Sequence, residues 1–137
     1  MSESKNAPTA VYVDTSALGR VLLTEPDEPA IKRSLADYDK IVSSRLLQVE
    51  LRRLAFRKNL LNATAELLAE VALISMNELI LTASETLSPS AVGTLDAIHL
   101  ATAVSLSKAG ELNALMTYDK QLAAGAQAHG ITVLSPS

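Results

Sequence analysis

Short apolar runs alternate along the chain with longer stretches in which apolar residues recur every three or four positions. "AVYV" (10–13) predicts a buried strand, and Ala17, Leu18, Val21, Leu22 and Leu23 predict a helix that "TEPDEP" breaks. A second helix is expected over Glu28–Tyr38, then a strand at "KIVSS" (40–44) whose serine pair suits capping of a helix from Arg45 to Asn59. "NATAELLAEVALI" (62–74) predicts a further helix opened by Asn62 as its cap. "NELILT" (77–82) is assigned as a third strand, although its apolar run also fits a helix. "SETLSPSAVGT" reads as loop or short helix, and "LDAIHLATAVSLSKAG" (95–110), apolar around most of its circumference and closed by Gly110, as a long helix. "NALMTYD" predicts a strand ending at Asp119, "KQLAAGAQAHG" a helix and "ITVLSPS" a last strand. Strands alternating with helices imply a single α/β domain over residues 10–137, a central, mostly parallel sheet flanked by helices, with residues 1–9 as a flexible polar tail.

Composition narrows the chemistry. Hydrophobic residues make up 48% of the 137 and aromatics only 3%, which implies an aliphatic, helix-rich core. The absence of cysteine excludes disulfides and thiolate metal sites, so a metal would be held by oxygen or by the two histidines. The first residues lack the apolar segment of a signal peptide, and no apolar run approaches the roughly 18 residues that span a bilayer. A soluble cytoplasmic protein without a membrane partner is therefore expected. A net charge of -3 gives no global sign of nucleic acid, although a local patch can hide behind it.

The candidate chemistry lies in isolated carboxylates. In a parallel sheet, ligands bind outside the carboxyl ends of the strands, and Asp14 and Asp119 each follow a predicted strand directly. Helix capping accounts for either one taken alone. Asp96 opens a helix whose neighbours Ile98, Leu100, Ala101, Ala103 and Val104 are apolar, so it is expected at a buried helix end, where a charge is costly unless paired or bound to a metal. Glu50 falls on a helical stripe with Leu46, Arg53 and Arg57, beside the core stripe of Leu47, Leu51 and Leu54, and an ordinary pair with Arg53 is its bland alternative. Carboxylates gathered at one sheet end repel one another. Hard divalent cations such as Mg²⁺ or Mn²⁺ are the usual compensation, and the chemistry implied is phosphodiester hydrolysis.

With these residues in hand, the sequence resembles a PIN-domain ribonuclease of the VapC toxin type. "VDTSAL" is similar to the family's opening motif, "SSRLLQVELRR" to its Glu-bearing helix, "TLDAIHLATA" to its most characteristic helix and "MTYDKQLAAGAQAHGITVL" to its closing strand, helix and strand. The resemblance covers almost the whole chain after the tail. It implies metal-binding carboxylates at Asp14, Glu50, Asp96 and Asp119, with the last acid acting less directly on the metal in many members. It also implies a PIN-like domain that is an Mg²⁺- or Mn²⁺-dependent endoribonuclease cutting structured RNA such as tRNA or ribosomal RNA. The resemblance implies as well a homodimer silenced by a VapB-type antitoxin.

Thr15, Ser16 and Thr117 flank these acids and suit either support of a ligand or water by hydrogen bonding, or local capping. His99 lies one helical turn after Asp96, where a satisfied structural histidine competes with a metal or proton-transfer role. His129, at a helix end, is assigned no chemistry. Five of the twelve basic residues, Arg45, Arg52, Arg53, Arg57 and Lys58, share one helix. Arg53 and Arg57, on the Glu50 stripe, are expected to contact RNA phosphates, whereas Arg45 and Arg52 point to another, more polar face. The scarcity of aromatics disfavours recognition by base stacking. Two other functions compete: a haloacid-dehalogenase-like phosphohydrolase, which wants a second Asp where Ser16 stands, and a catalytically inactive PIN-fold domain that only binds RNA or a partner.

Overall fold

The protein, seen as a computed structural model, is described over residues 8–137. Most of the expected tail, residues 1–7, lies outside the described residues. Thr9 is already tied down: its N–H donates to Asp39 Oδ2 (2.8 Å) and its carbonyl accepts from Lys40 (2.9 Å).

The elements run β1 (Ala10–Val13), α1 (Thr15–Leu22), α2 (Glu28–Leu35), β2 (Lys40–Ser44), α3 (Arg45–Arg57), α4 (Leu61–Ala69), β3 (Val71–Ile74), α5 (Glu78–Ser84), α6 (Thr94–Lys108), β4 (Ala114–Met116), α7 (Lys120–Ala128) and β5 (Val133–Leu134). The five strands form one sheet in the order β3-β2-β1-β4-β5, and every pairing is parallel. β1 occupies the centre with helices on both faces, which is why all four residues of "AVYV" are buried. Its side chains divide by alternation. Val11 and Val13 join Leu18, Ile31, Leu47, Leu51 and Met116 in one core, while Ala10 and Tyr12 join Leu100, Val104, Leu115 and Leu122 in the other. α6 is buried on most sides because it packs against the sheet and against α7, which approaches it at Gly125; a Cβ there would meet Leu100 Cδ2 at 2.9 Å. Among the described residues no helix is long and apolar enough to cross a membrane.

The structure reverses two assignments. The third strand is not "NELILT" but the end of the segment expected to be helical: α4 stops at Ala69, and Val71–Ile74 pair with Ile41–Ser44 of β2. The open edge of β2 takes a short aliphatic run, and tertiary pairing overrides local periodicity. "NELILT" is helical instead, with Asn77 capping α5 by accepting from Ile80 N (3.0 Å). Only Ile80 of that helix is buried, and Leu79 is 81% exposed, a pattern from which neither period can be read. Asn62 is likewise not a cap; α4 begins after Leu60, which has no polar side chain to offer.

Candidate active site

The strand order fixes where a site can form. From β1 the sheet grows outward in both directions, through β2 on one side and β4 on the other, so a crevice opens between the carboxyl ends of β1 and β4. Asp14 follows β1 immediately, and Thr117, Tyr118 and Asp119 follow β4.

Asp14 is 3% exposed and does two jobs. It caps α1, its Oδ1 accepting from Ala17 N (3.1 Å), and it also gathers hydroxyls: Thr117 Oγ1 donates to Oδ2 (2.7 Å) and Ser16 Oγ lies 2.8 Å from Oδ1. Ser16 in turn accepts from Tyr118 N (2.8 Å), and Thr117 Oγ1 from Asp119 N (3.0 Å), so the ends of β1 and β4 are laced together. Burial pushes the Asp14 carboxyl up from its ordinary range, and the bonds from Thr117, Ser16 and Ala17 only partly offset it. Among the described residues its hydrogen-bond donors are all neutral.

Asp119 caps α7, accepting from Leu122 N (2.9 Å). Asp96 is not a cap, since α6 is capped by Gly93 and Asp96 lies in its first turn. Its expected burial is corrected as well. Leu95 beside it is 52% exposed and Asp96 itself only half-buried, because α6 sinks into the core from Ala97 onward. Desolvation first, then the neighbouring carboxylates of Asp119 and Asp14, push Asp96 up to about 6. Asp96 thus faces the charges of both Asp119 and Asp14.

Glu50, half-buried on α3, does not pair with Arg53. Its Oε1 accepts from Thr15 Oγ1 (2.7 Å) and lies 2.7 Å from His99 Nε2. Burial alone would raise its carboxyl, but the bonds from His99 and Thr15 outweigh that and hold it below the ordinary value. His99, 1% exposed, spends its other nitrogen on Tyr12 Oη (2.7 Å), which accepts from Ser44 N (3.1 Å). His99 is therefore the satisfied core histidine that its apolar helix suggested, with one face turned to a candidate acid. Tyr12 left no mark in the sequence beyond its place in an apolar strand. His129 binds the loop carbonyl of Ser88 (2.6 Å). Nothing in the sequence pattern singled out Arg20, which pairs with Asp27 (3.0 Å) and lies 4.0 Å over the ring of Tyr118; the Tyr118 hydroxyl donates to the Pro136 carbonyl.

The arginines divide differently from expectation. Arg53 and Arg57 are both exposed, but Arg53 lines a surface hollow with Arg45, Arg52, Val49 and Phe56, and so borders both the Glu50 stripe and the outer face. Arg52 is partly committed to Thr64 Oγ1 (2.9 Å).

The oxygen-only donor set of Asp14, Asp96 and Asp119, with too little positive charge of its own, suits a hard divalent cation. Among the described residues no three acidic or histidine side chains are close enough to encase an ion as they stand. An open arrangement of this kind fits Mg²⁺, which keeps several waters and is commonly bound through one or two carboxylates together with substrate phosphate.

Fold and site define the class: an open, doubly wound α/β domain with an acidic, hydroxyl-lined crevice at its switch point. The chain belongs to the PIN-domain family, whose model, described as "PIN domain", matches residues 11–128. Among its relatives, Ribonuclease VapC46 of Mycobacterium tuberculosis is 35% identical over 130 residues, covering 93% of this chain and 98% of the relative. Ribonuclease VapC47 of the same species is 32% identical over 133 residues, covering 92% and 96%. Among solved structures, a toxin-antitoxin complex from Klebsiella pneumoniae superposes with a TM-score of 0.68 at 23% identity, covering 93% of this chain and 98% of that one. The M. tuberculosis toxin VapC20, described as cleaving the sarcin-ricin loop, gives 0.67 at 18% identity, covering 83% and 93%. At such identities the structural likeness concerns the fold.

Proposed function

We propose that this chain is a divalent-metal-dependent endoribonuclease, the toxin of a toxin-antitoxin pair, hydrolysing phosphodiester bonds in structured RNA. The observation that carries the proposal is the gathering of Asp14 and Asp119 where β1 and β4 end, laced together by the Ser16 and Thr117 hydroxyls beside the first turn of α6 that bears Asp96. The ribonuclease names of the relatives and the toxin-antitoxin complex among the structural neighbours support it. Asp14, Asp96 and Asp119, with Glu50 at the rim, would hold Mg²⁺ or Mn²⁺. When bound, the ion would supply Lewis acidity at the scissile phosphate and lower the pKa of a water. Ser16 and Thr117 keep Asp14 oriented, Thr15 does the same for Glu50, and Arg53 and Arg57 draw in the RNA backbone. A VapB-type antitoxin and a homodimeric state belong to the same proposal, as does action in the cytoplasm. No observation favours the phosphohydrolase, since Ser16 donates to Asp14 where that chemistry wants a second carboxylate.

Purified protein should cleave RNA in Mg²⁺ or Mn²⁺, lose the activity in EDTA and regain it on adding excess metal. RNA that is bound but never cut would instead mean an inactive PIN domain. Replacing Arg53 and Arg57 together by Gln should weaken RNA binding and lower the slope of log affinity against log salt by roughly 1.4 to 1.8, about 0.7 to 0.9 for each phosphate no longer neutralised. Arg45→Gln should have a smaller effect, and equal weakening would indicate a diffuse field over α3.

A further inference from the structure

We infer that His99 is a positioning residue for Glu50: its Nε2–H and the Thr15 hydroxyl converge on Glu50 Oε1, turning the carboxylate into the crevice and leaving Oε2 for a ligand. The inference rests on the metal-dependent nuclease reading and assigns within it a role to a side chain outside the acidic set. The carboxylate can only accept from its partners, so Nε2 carries the ring proton facing it (2.7 Å). Nδ1 lies 2.7 Å from Tyr12 Oη, which accepts from Ser44 N–H (3.1 Å) and gives its own proton to the ring. The Tyr12 and His99 rings meet edge to face, 84° apart with centroids 5.8 Å from one another, so the imidazole has little room to turn. The chain of bonds therefore runs from the backbone at the end of β2, through β1 and α6, to a rim acid on α3, and meets Thr15 of α1 there.

Both ring nitrogens of His99 are bonded to side chains. Here half of its bonding capacity goes to a carboxylate at the rim of the site, 49 residues away in sequence. Glu50 also has an alternative. Arg53 stands one turn further along α3, the spacing at which Glu and Arg pair on a helix, yet the two are not joined. Removing the His99 donor would release a flexible side chain to that arginine and to many rotamers. Among the described residues Glu50 Oε2 accepts no protein hydrogen bond, so the network fixes the group while keeping one oxygen available.

Two substitutions separate positioning from filling. His99→Gln reaches as far as Nε2 and can still donate to Glu50, whereas His99→Asn reaches only as far as Nδ1, keeping Tyr12 and losing Glu50. Isothermal titration of the RNA-free proteins with Mn²⁺ should give a Kd about 10- to 100-fold weaker for His99→Asn, and within a few-fold of wild type for His99→Gln. Cleavage should follow the same order, while the two variants melt at similar temperatures. Nitrogen-15 spectra of the metal-free wild type, which need no variant to fold, should show the ring protonated at Nε2 and coupled to a slowly exchanging proton. Near-wild-type Mn²⁺ affinity in both variants would overturn the inference, as would equal losses that simply track melting temperature, or a ring protonated only at Nδ1. A wild type that binds no Mn²⁺ and cuts no RNA would instead overturn the nuclease reading, and the inference with it.

Discussion

Asp14→Asn should lower RNA cleavage by at least about 100-fold and leave the fold standing. The bound comes from comparison with outer-shell residues: removing a group that merely orients a ligand costs about 10- to 100-fold, so removing ligand charge itself costs no less. The fold should survive because Asn caps a helix about as well as Asp. The Ser16 and Thr117 hydroxyls, which donate to the carboxylate now, can rotate to accept from an amide. Burial already works against the charge on Asp14, so neutralising it removes a cost from the metal-free protein. The same experiment on Glu50→Gln and Asp96→Asn should give the same loss. Rates on a purified RNA substrate, measured beside melting curves, decide the matter. Wild-type cleavage by any of the three would exclude that carboxylate from the chemistry.

In EDTA at pH 7, Asp96→Asn should melt above the wild type, and Mn²⁺ should reverse the order. Asp96 is pushed from 3.8 up to about 6 by burial and then by its acidic neighbours. A folded pKa above the unfolded one means that the folded state holds the proton more tightly, so stability falls as pH rises from about 4 to about 6 and is level beyond. The penalty at pH 7, discounted for solvent screening of a half-buried group, is about 1 kcal/mol, or roughly 4 °C in a chain of this length. At pH 4 the two proteins should converge. Glu50 acts in the opposite sense: its lowered pKa contributes stability above its ordinary value of 4.5, lost on acidification. Added Mn²⁺ stabilises the wild type by RT ln(1 + [L]/Kd) and the variant much less. Metal affinity should weaken below pH 6, because the ion competes with the proton on Asp96. If Asp96 served only the helix dipole, the variant would be equal or less stable at every metal concentration. A variant no more stable than wild type in EDTA would refute the charge-cluster account.

How much of this was legible in the sequence depended on whether a feature was local. β1 with Asp14, and β4 with Asp119, were readable because a fully buried parallel strand is a short continuous apolar run followed by a helix cap, although β4 ends at Met116 and Asp119 stands three residues beyond it rather than directly after it. Ser16 and Thr117 were visible as neighbours of the acids, and the Ser16 bond to Asp14 is local, but the bonds of Thr117 to Asp14 and to Ser16 span 103 and 101 residues and exist only once β1 and β4 pair. The exchange of strand and helix at residues 71–84 was illegible for a related reason: the edge of β2 selects Val71–Ile74, and nothing in that tetrapeptide records the edge. Asp96 misled because the apolar residues after it describe α6 beyond its first turn, not the surface end where Asp96 stands. The link from His99 to Glu50 joins faces of two helices that neither helix's periodicity can orient relative to the other.

The central position of β1 has a consequence for the order in which the molecule becomes active. β1 finds β2 thirty residues on, but its other edge pairs Val11 with Ala114 and Val13 with Met116, so that edge must wait for a partner about a hundred residues further along the chain. Such long-range pairing is slow, because the entropy of loop closure is spent before the contacts form. Until β4 has paired, Asp14 lacks the Thr117 hydroxyl and Asp96 lacks Asp119. A nascent or truncated chain that ends before β4 therefore carries most of the acids but no crevice. Pairing of β4 with β1 is therefore the step that assembles the crevice.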